Sequence, residues 1–174
     1  TDMDAEKIKK ILLLLLVALL APTSRPCMAQ NETMSHGDTI YIDACTSGSG
    51  VIFDDGGSTG NYSNNFAGWV KITAPEGVTI TLTGSYQTES PNCDWIDVWD
   101  GEVATGTCVV SRAGGTGTIN TSATSGTMVI YYRTDGSVTS SGFELEWACE
   151  GWSATNCSSS ITSFAATSIT PTTA

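Results

Sequence analysis

The most constraining feature of this 174-residue chain is a succession of short segments in which apolar and polar residues alternate, from about Cys45 to Cys149. The segment "GVTITLTG" has apolar residues on every second position, and "GWVKITAP", "MVIYYR" and "FELEWAC" repeat this pattern. A period of two is typical of strands buried on one face, and the Gly, Ser, Asn and Asp residues between the segments are typical of turns. About 105 residues is enough for one such core, so we expect a single all-β domain.

The N-terminal 29 residues predict a secretory signal peptide. Three lysines precede an apolar run from Ile11 to Ala21, which is shorter than the roughly 20 residues of a membrane span. We place cleavage after Ala29 and expect no membrane span in the mature chain. A lipoprotein anchor at Cys27 is a weaker alternative, because small apolar residues do not precede that cysteine. The protein is therefore expected to be secreted or attached to the cell surface.

The mature chain is strongly acidic. Cleavage removes three acidic and four basic residues from totals of 18 and 7, which leaves a net charge of about −12. The remaining basic residues are Lys71, Arg112 and Arg133. Such a surface repels polyphosphate, so we exclude nucleic acid as a partner and expect metal ions or basic protein surfaces instead.

Composition divides the mature chain into three parts. Residues 30–44 are expected to lead into the first strand, and residues 45–149 form the predicted domain. Residues 150–174 are rich in Ser, Thr, Ala and Gly, which indicates a linker. The end of this linker, "ITSFAATSITPTTA", resembles the opening strand of a fibronectin type III domain, and a frayed Ser/Thr tail is the alternative. We interpret the chain as the front piece of a longer protein.

The stretch "CDWIDVWDG" carries three aspartates in a predicted strand. In an extended chain Ile96 and Val98 face the core, while Trp95 and Trp99 face outward on either side of Asp97. The aspartate that precedes this strand then lies where the core face meets the strand end. A carboxylate there needs a hydrogen-bond donor, a cation or open water, because burying it unpaired is costly.

Three stretches together resemble a CUB domain, of the bacterial kind found in secreted multidomain proteins of the Bacteroidetes type. They are "FDDGGSTGNYSNN", "YQTESPNCDWIDVWDG" and "YYRTDGSVTSSGFELEW". Tyr86 and Glu89 match the family pattern ahead of the "DWIDVWDG" strand, and Gly142 with Phe143 matches the opening of the last strand. The resemblance implies a jelly-roll β-sandwich of two antiparallel sheets that binds one calcium ion at one end.

The resemblance also implies which residues bind this ion. They are three carboxylates and two residues that offer backbone carbonyls: Glu89, Asp94, Asp135, Gly136 and Ser137. Calcium takes six to eight oxygen ligands, and three carboxylates converging without a cation would repel one another. The alternative is an acidic loop cluster without a metal. In the family a tyrosine supports the metal-binding glutamate; Phe66 replaces it here, and Tyr62 is the nearby substitute.

Five cysteines remain after cleavage, and export favours disulfides. No pair has the CxxC spacing of a zinc site, so we do not expect one. By the resemblance, Cys93 and Cys108 form a disulfide. The family partner of Cys45 is missing, which leaves Cys149 or Cys157, and of these two we predict Cys149.

The resemblance implies a non-catalytic, calcium-dependent interaction module whose ligand carboxylates also receive a basic side chain from an extracellular protein partner. One alternative is a carbohydrate-binding module that uses Trp95 and Trp99. Another is an accessory domain of a secreted protease or glycosidase whose catalytic part lies outside this sequence. We do not expect an enzyme, because the single histidine, His36, lies outside the predicted domain. A glycosidase pair of Glu89 and Asp94 is the rival interpretation.

Overall fold

The computed structural model describes residues 29–151. The predicted signal peptide and fibronectin-like strand, and all but the first residues of the predicted linker, lie outside the described residues. In chain order the elements are β1 (Gln30–Thr33), β2 (Thr39–Asp43), α1 (Ala44–Ser47), β3 (Ser49–Phe53), β4 (Ala67–Thr73), β5 (Thr79–Gln87), β6 (Trp95–Asp100), β7 (Thr107–Ala113), β8 (Thr116–Ala123), β9 (Thr127–Arg133) and β10 (Gly142–Glu150).

The strands form two five-stranded sheets. The first sheet has the order β1-β3-β10-β5-β8, and the second has the order β2-β4-β9-β6-β7. Most neighbouring strands are antiparallel, but β1 pairs with β3 and β2 pairs with β4 in parallel. The predicted β-sandwich of two sheets is confirmed, and each sheet is mixed because it contains one parallel pair. The chain passes through β2 in the opposite sheet between β1 and β3, and such a crossover allows β3 to run in the same direction as β1.

The predicted alternation is confirmed by the burial of the side chains. In β5, Ile80 and Leu82 are fully buried between the sheets while the threonines beside them are not. The same pattern holds in β10 of this sheet and in β4 and β9 of the second sheet, where the inward residues are Val70, Ile72, Met128, Ile130, Tyr132, Phe143, Leu145 and Trp147. Apolar side chains from both sheets thus fill one core, which is what the period-two pattern requires.

Residues 30–44 belong to the sandwich, because β1 and β2 lie within this range and add an edge strand to each sheet. The described fold therefore begins before the expected boundary at Cys45. Asp43 caps the short helix α1 by accepting a hydrogen bond from the Cys45 backbone amide at 2.9 Å. Among residues 29–151 no helix has the length and apolar character that a membrane span requires.

The two ends of the domain lie side by side, as a disulfide between Cys45 and Cys149 would require. The Cys149 amide donates a hydrogen bond to the carbonyl of Gly48 at 2.8 Å, just after α1. Cys45 is disulfide-bonded. Within the described range no disulfide joins Cys45 to Cys149, so this predicted pairing is wrong. The alternative partner, Cys157, lies outside the described residues.

The predicted disulfide between Cys93 and Cys108 is also wrong, because both are free thiols. The reason is the register of the β6–β7 hairpin. Cys108 lies opposite Trp99 near the end of β6, whereas Cys93 precedes the start of that strand. The residue opposite the start of β6 is Ala113, which pairs with Ile96. In an antiparallel hairpin the two cysteines therefore lie at opposite ends, beyond the reach of a disulfide.

Candidate metal centre

The predicted metal ligands lie in two loops at one end of the sandwich. Glu89 and Asp94 lie between β5 and β6, and Asp135 follows β9. A third loop, between β3 and β4, lies beside them, because the Asn65 amide donates to the Asp135 carbonyl at 2.5 Å. Strand ends of both sheets thus bring carboxylates together that are up to 46 residues apart in the chain.

Asp94 is a fully buried carboxylate that holds these loops together. Its Oδ2 accepts a hydrogen bond from the Tyr62 hydroxyl at 2.5 Å, and its Oδ1 accepts one from the Asp135 backbone amide at 2.8 Å. The Thr88 hydroxyl donates to the backbone carbonyl of Asp94 at 3.3 Å. Both carboxylate oxygens therefore have protein donors, which answers the need that the sequence analysis identified for a carboxylate at this strand end.

The group of potential ligand atoms that converges consists of Glu89, Cys93 and Asp135. One carboxylate oxygen of Glu89, one of Asp135 and the Cys93 sulfur all lie within 4.8 Å of one another. Two of the three predicted carboxylates are in this group, and Cys93 is its third member. That Asp94 also binds the ion stays a prediction. The Oε2 atom of Glu89 is buried and has no hydrogen-bond partner among residues 29–151. Such an acceptor is costly without a donor or a cation, so this donor set fits a divalent ion.

Gly136 and Ser137, whose backbone carbonyls are predicted metal ligands, are exposed in the turn after Asp135. The Ser137 amide donates to Asp135 Oδ1 at 2.9 Å, which holds this carboxylate in the turn. The turn thus orients the Asp135 side chain. That the carbonyls of Gly136 and Ser137 bind a metal stays a prediction.

Tyr62 contacts both Asp94 and Glu89, which is the supporting role predicted for it as the substitute for a tyrosine at position 66. Its buried hydroxyl donates to Asp94 and accepts a hydrogen bond from the Glu89 amide at 3.1 Å. Burial and the adjacent Asp94 carboxylate raise the pKa of Tyr62 well above its ordinary value of 10.0. Tyr62 is therefore a hydrogen-bond donor at every physiological pH. Phe66 is buried and packs against the Tyr132 ring, with centroids 5.7 Å apart.

Cys93 was not predicted as a site residue, because a cysteine in the expected disulfide with Cys108 could not bind a metal. Contact with Ser90 acts to lower the pKa of the Cys93 thiol, but burial and the carboxylates of Glu89 and Asp135 together raise it above the ordinary value. The signal that could have found it is its position beside Asp94, between two of the predicted carboxylate ligands.

A second buried carboxylate, Asp54, lies in the loop after β3. Its Oδ2 accepts a hydrogen bond from the Phe143 amide at 2.7 Å, and its Oδ1 accepts one from the Gly56 amide at 2.8 Å. Burial raises the pKa of Asp54 above 3.8, although these two hydrogen bonds act in the opposite direction. Asp54 joins the loop after β3 to the start of β10 and contributes no atom to the group around Glu89.

This raised pKa predicts a pH dependence of stability. The folded state binds the Asp54 proton more tightly than the unfolded chain, so the contribution of protonated Asp54 is present below the unfolded pKa and is lost as pH rises through the folded pKa. In chelator, Asp54→Asn should therefore flatten the pH dependence of the melting temperature above about pH 4, the ordinary pKa of an aspartate, relative to the natural chain. Parallel melting curves for the two proteins would contradict this assignment.

The two tryptophans of β6 lie on its outer face as predicted, but their rings are packed. The guanidinium carbons of Arg112 and Arg133 lie 4.0 and 5.1 Å from the Trp95 ring centroid. The Trp99 ring lies 6.3 Å from that of Trp69 at a 33° angle. A sugar-binding platform needs a free ring face, so the cations over Trp95 count against a glycan site there.

His36 lies within the fold, whereas the sequence analysis placed it outside the domain. Its Nδ1 accepts a hydrogen bond from the Ala67 amide at 3.1 Å, and its ring contacts Phe66 edge-on at 5.9 Å. These contacts join the segment between β1 and β2 to the start of β4. That the protein is not an enzyme stays a prediction.

The comparisons with known proteins agree with this architecture. No family model matches the chain, and neither does any curated protein. The CUB1-EGF-CUB2 region of human MASP-1/3 aligns with a TM-score of 0.51 and 15% identity, over 66% of this chain and 42% of that one. A crystal structure of the MASP-1 CUB2 domain bound to Ca²⁺ aligns with a TM-score of 0.52 and 19% identity, over 66% of this chain and 99% of that one. The chain thus has a CUB-like β-sandwich fold.

Proposed function

We propose that this CUB-like domain is a non-catalytic, calcium-dependent interaction module of a secreted or cell-surface bacterial protein. The observation that carries the proposal is the Glu89 carboxylate: its Oε2 atom is buried without a hydrogen-bond partner among residues 29–151, and one of its two oxygens belongs to the group of ligand atoms with Cys93 and Asp135. The structurally similar MASP-1 CUB2 domain is described as bound to Ca²⁺, which supports the choice of ion.

In this proposal Glu89 and Asp135 hold the ion directly, and carbonyls of the turn at Gly136 and Ser137 complete its oxygen shell with water. Asp94 positions the other two carboxylates through Tyr62 and the Asp135 amide. The bound ion supplies positive charge that neutralises the carboxylates and fixes the loops.

The proposed partner is an extracellular protein that presents a basic side chain to these loops. The described range contains 15 acidic residues and three basic ones, so a cationic partner is attracted. Packing around Trp95 makes a glycan a weaker candidate.

The proposal predicts that calcium stabilises the folded protein. At a hundredfold excess over Kd, calcium should add about 2.7 kcal/mol to the free energy of unfolding. For a domain of this size the melting temperature then rises on the order of 10 °C above its value in chelator. Thermal unfolding in calcium and in chelator measures the difference.

The variants Glu89→Gln and Asp135→Asn should lose most of this response, because each removes one proposed ligand charge. The control Glu144→Gln changes an exposed carboxylate on β10 and should respond as the natural chain does. Equal melting temperatures of the natural chain in calcium and in chelator would overturn the proposal.

A further inference from the structure

We propose that Cys93 makes this centre a binding site for a thiophilic divalent cation of the zinc class, with Glu89 and Asp135 as the other protein ligands. The inference rests on the proposed function in one respect, since both place a cation between the same two carboxylates. It differs in the ion, because calcium in proteins takes oxygen ligands whereas zinc also takes thiolate.

The first observation is the geometry of the three side chains. The Cys93 sulfur lies within 4.8 Å of one carboxylate oxygen of Glu89 and one of Asp135. A tight turn places it there, because the amides of Cys93 and Asp94 both donate to the Ser90 carbonyl, at 3.0 and 2.8 Å. Zinc lies about 2.0 Å from its oxygen ligands and about 2.3 Å from its sulfur ligands, so two ligand atoms on one ion are less than 4.8 Å apart. Small side-chain movements would therefore let the three residues bind one ion.

The second observation is independent of the cysteine. The Oε2 atom of Glu89 is buried and lacks a hydrogen-bond partner within residues 29–151. A carboxylate oxygen only accepts hydrogen bonds, so a cation is what satisfies this atom in the absence of a donor. The neighbouring carboxylate of Asp94 has protein donors on both oxygens, which leaves Glu89 as the acceptor that a cation would satisfy.

The third observation is that Cys93 is available as a ligand. Its thiol is free, and Cys108 lies at the opposite end of the β6–β7 hairpin. On binding, a sulfur–metal bond forms, the S–H bond breaks and its proton goes to solvent, so that each metal ion bound through Cys93 releases one proton. Three protein ligands leave a fourth tetrahedral position for water or for a side chain of a partner.

The experiment uses the full mature chain with Cd²⁺ as a spectroscopic probe and Zn²⁺ as the competing ion, without a thiol reductant. Cadmium bound by a thiolate gives a charge-transfer absorption in the ultraviolet. We expect this absorption in the natural chain at one equivalent of Cd²⁺, its loss on addition of Zn²⁺, and its loss in Cys93→Ser. The matched control is Cys108→Ser, which removes the other free thiol of the hairpin and should behave as the natural chain does.

Zinc affinity gives a second measurement. Cys93→Ser should weaken Zn²⁺ binding at least about tenfold, whereas the control Cys108→Ser should bind Zn²⁺ as tightly as the natural chain does. If the absorption persists in Cys93→Ser, or if this variant binds Zn²⁺ as tightly as the natural chain, the inference is overturned. Stabilisation by Zn²⁺ through Cys93 without stabilisation by calcium would overturn the calcium proposal alone. Stabilisation by calcium without cadmium–thiolate absorption would overturn the zinc-class site alone.

Discussion

Replacing Asp94 by alanine should lower the free energy of unfolding by about 3 kcal/mol, even in chelator. The carboxylate is fully buried and accepts hydrogen bonds from the Tyr62 hydroxyl and the Asp135 amide. Alanine leaves the buried Tyr62 hydroxyl and the partly buried Asp135 amide without an acceptor and leaves a cavity between the loops. Denaturant unfolding of the metal-free protein measures this loss. The β-sandwich should persist, since Ile96 and Val98 still fill the core beneath this strand.

The matched control is Asp97→Ala in β6, the strand that follows Asp94. Asp97 also accepts two hydrogen bonds, from Trp95 Nε1 at 3.0 Å and from the Arg112 amide at 2.6 Å, but it lies on the half-exposed outer face. Water can replace the lost acceptor there, so we expect a loss of about 1 kcal/mol or less. Equal losses for Asp94→Ala and Asp97→Ala would show that burial of Asp94 does not govern the stability of the loops.

Gly142→Ala should destabilise the domain by about 3–5 kcal/mol or prevent its folding. Gly142 has φ +76°, a left-handed conformation that side chains disfavour. A Cβ atom at this position would also overlap the buried carboxylate of Asp54. Asp54 would have to move, and its hydrogen bonds from the Phe143 and Gly56 amides would be lost.

The control Gly77→Ala separates the two causes. Gly77 has φ +81°, but a Cβ atom there would have no neighbour within 4 Å. Its substitution should cost about 1 kcal/mol from backbone strain alone. Melting temperatures of both variants give the comparison, and a Gly142→Ala variant as stable as Gly77→Ala would contradict the predicted overlap.

The strands of the core could be predicted because their signal is local. In "GVTITLTG" the apolar residues fall on one side of any extended chain, and Ile80 and Leu82 are buried as that period requires. The pattern could not reveal the mixed sheets, because the direction of a neighbouring strand depends on the path of the chain between them. The two N-terminal strands were missed because edge strands such as "QNET" bury too little to alternate clearly.

The predicted disulfide between Cys93 and Cys108 is wrong because the local sequence does not specify the register of the β6–β7 hairpin. Which residues face each other across a hairpin depends on its register, and the β6–β7 pair has register shifts between Ile96 and Trp99. The spacing of Cys93 and Cys108 in the chain contains no information on these shifts. Only the folded hairpin places the two thiols at opposite ends and leaves Cys93 beside Glu89.

The sequence by itself determined the all-β class, the inward face of β6 and the need of Asp94 for a partner, because each follows from the alternation of neighbouring residues. The tertiary structure decided which partners Asp94 has. They are the Tyr62 hydroxyl and the Asp135 amide, which lie 32 and 41 residues away in the chain. It also brought Cys93 into the group with Glu89 and Asp135. Contacts at such separations depend on how two sheets pack and where three loops meet, and no local pattern of residues specifies this geometry.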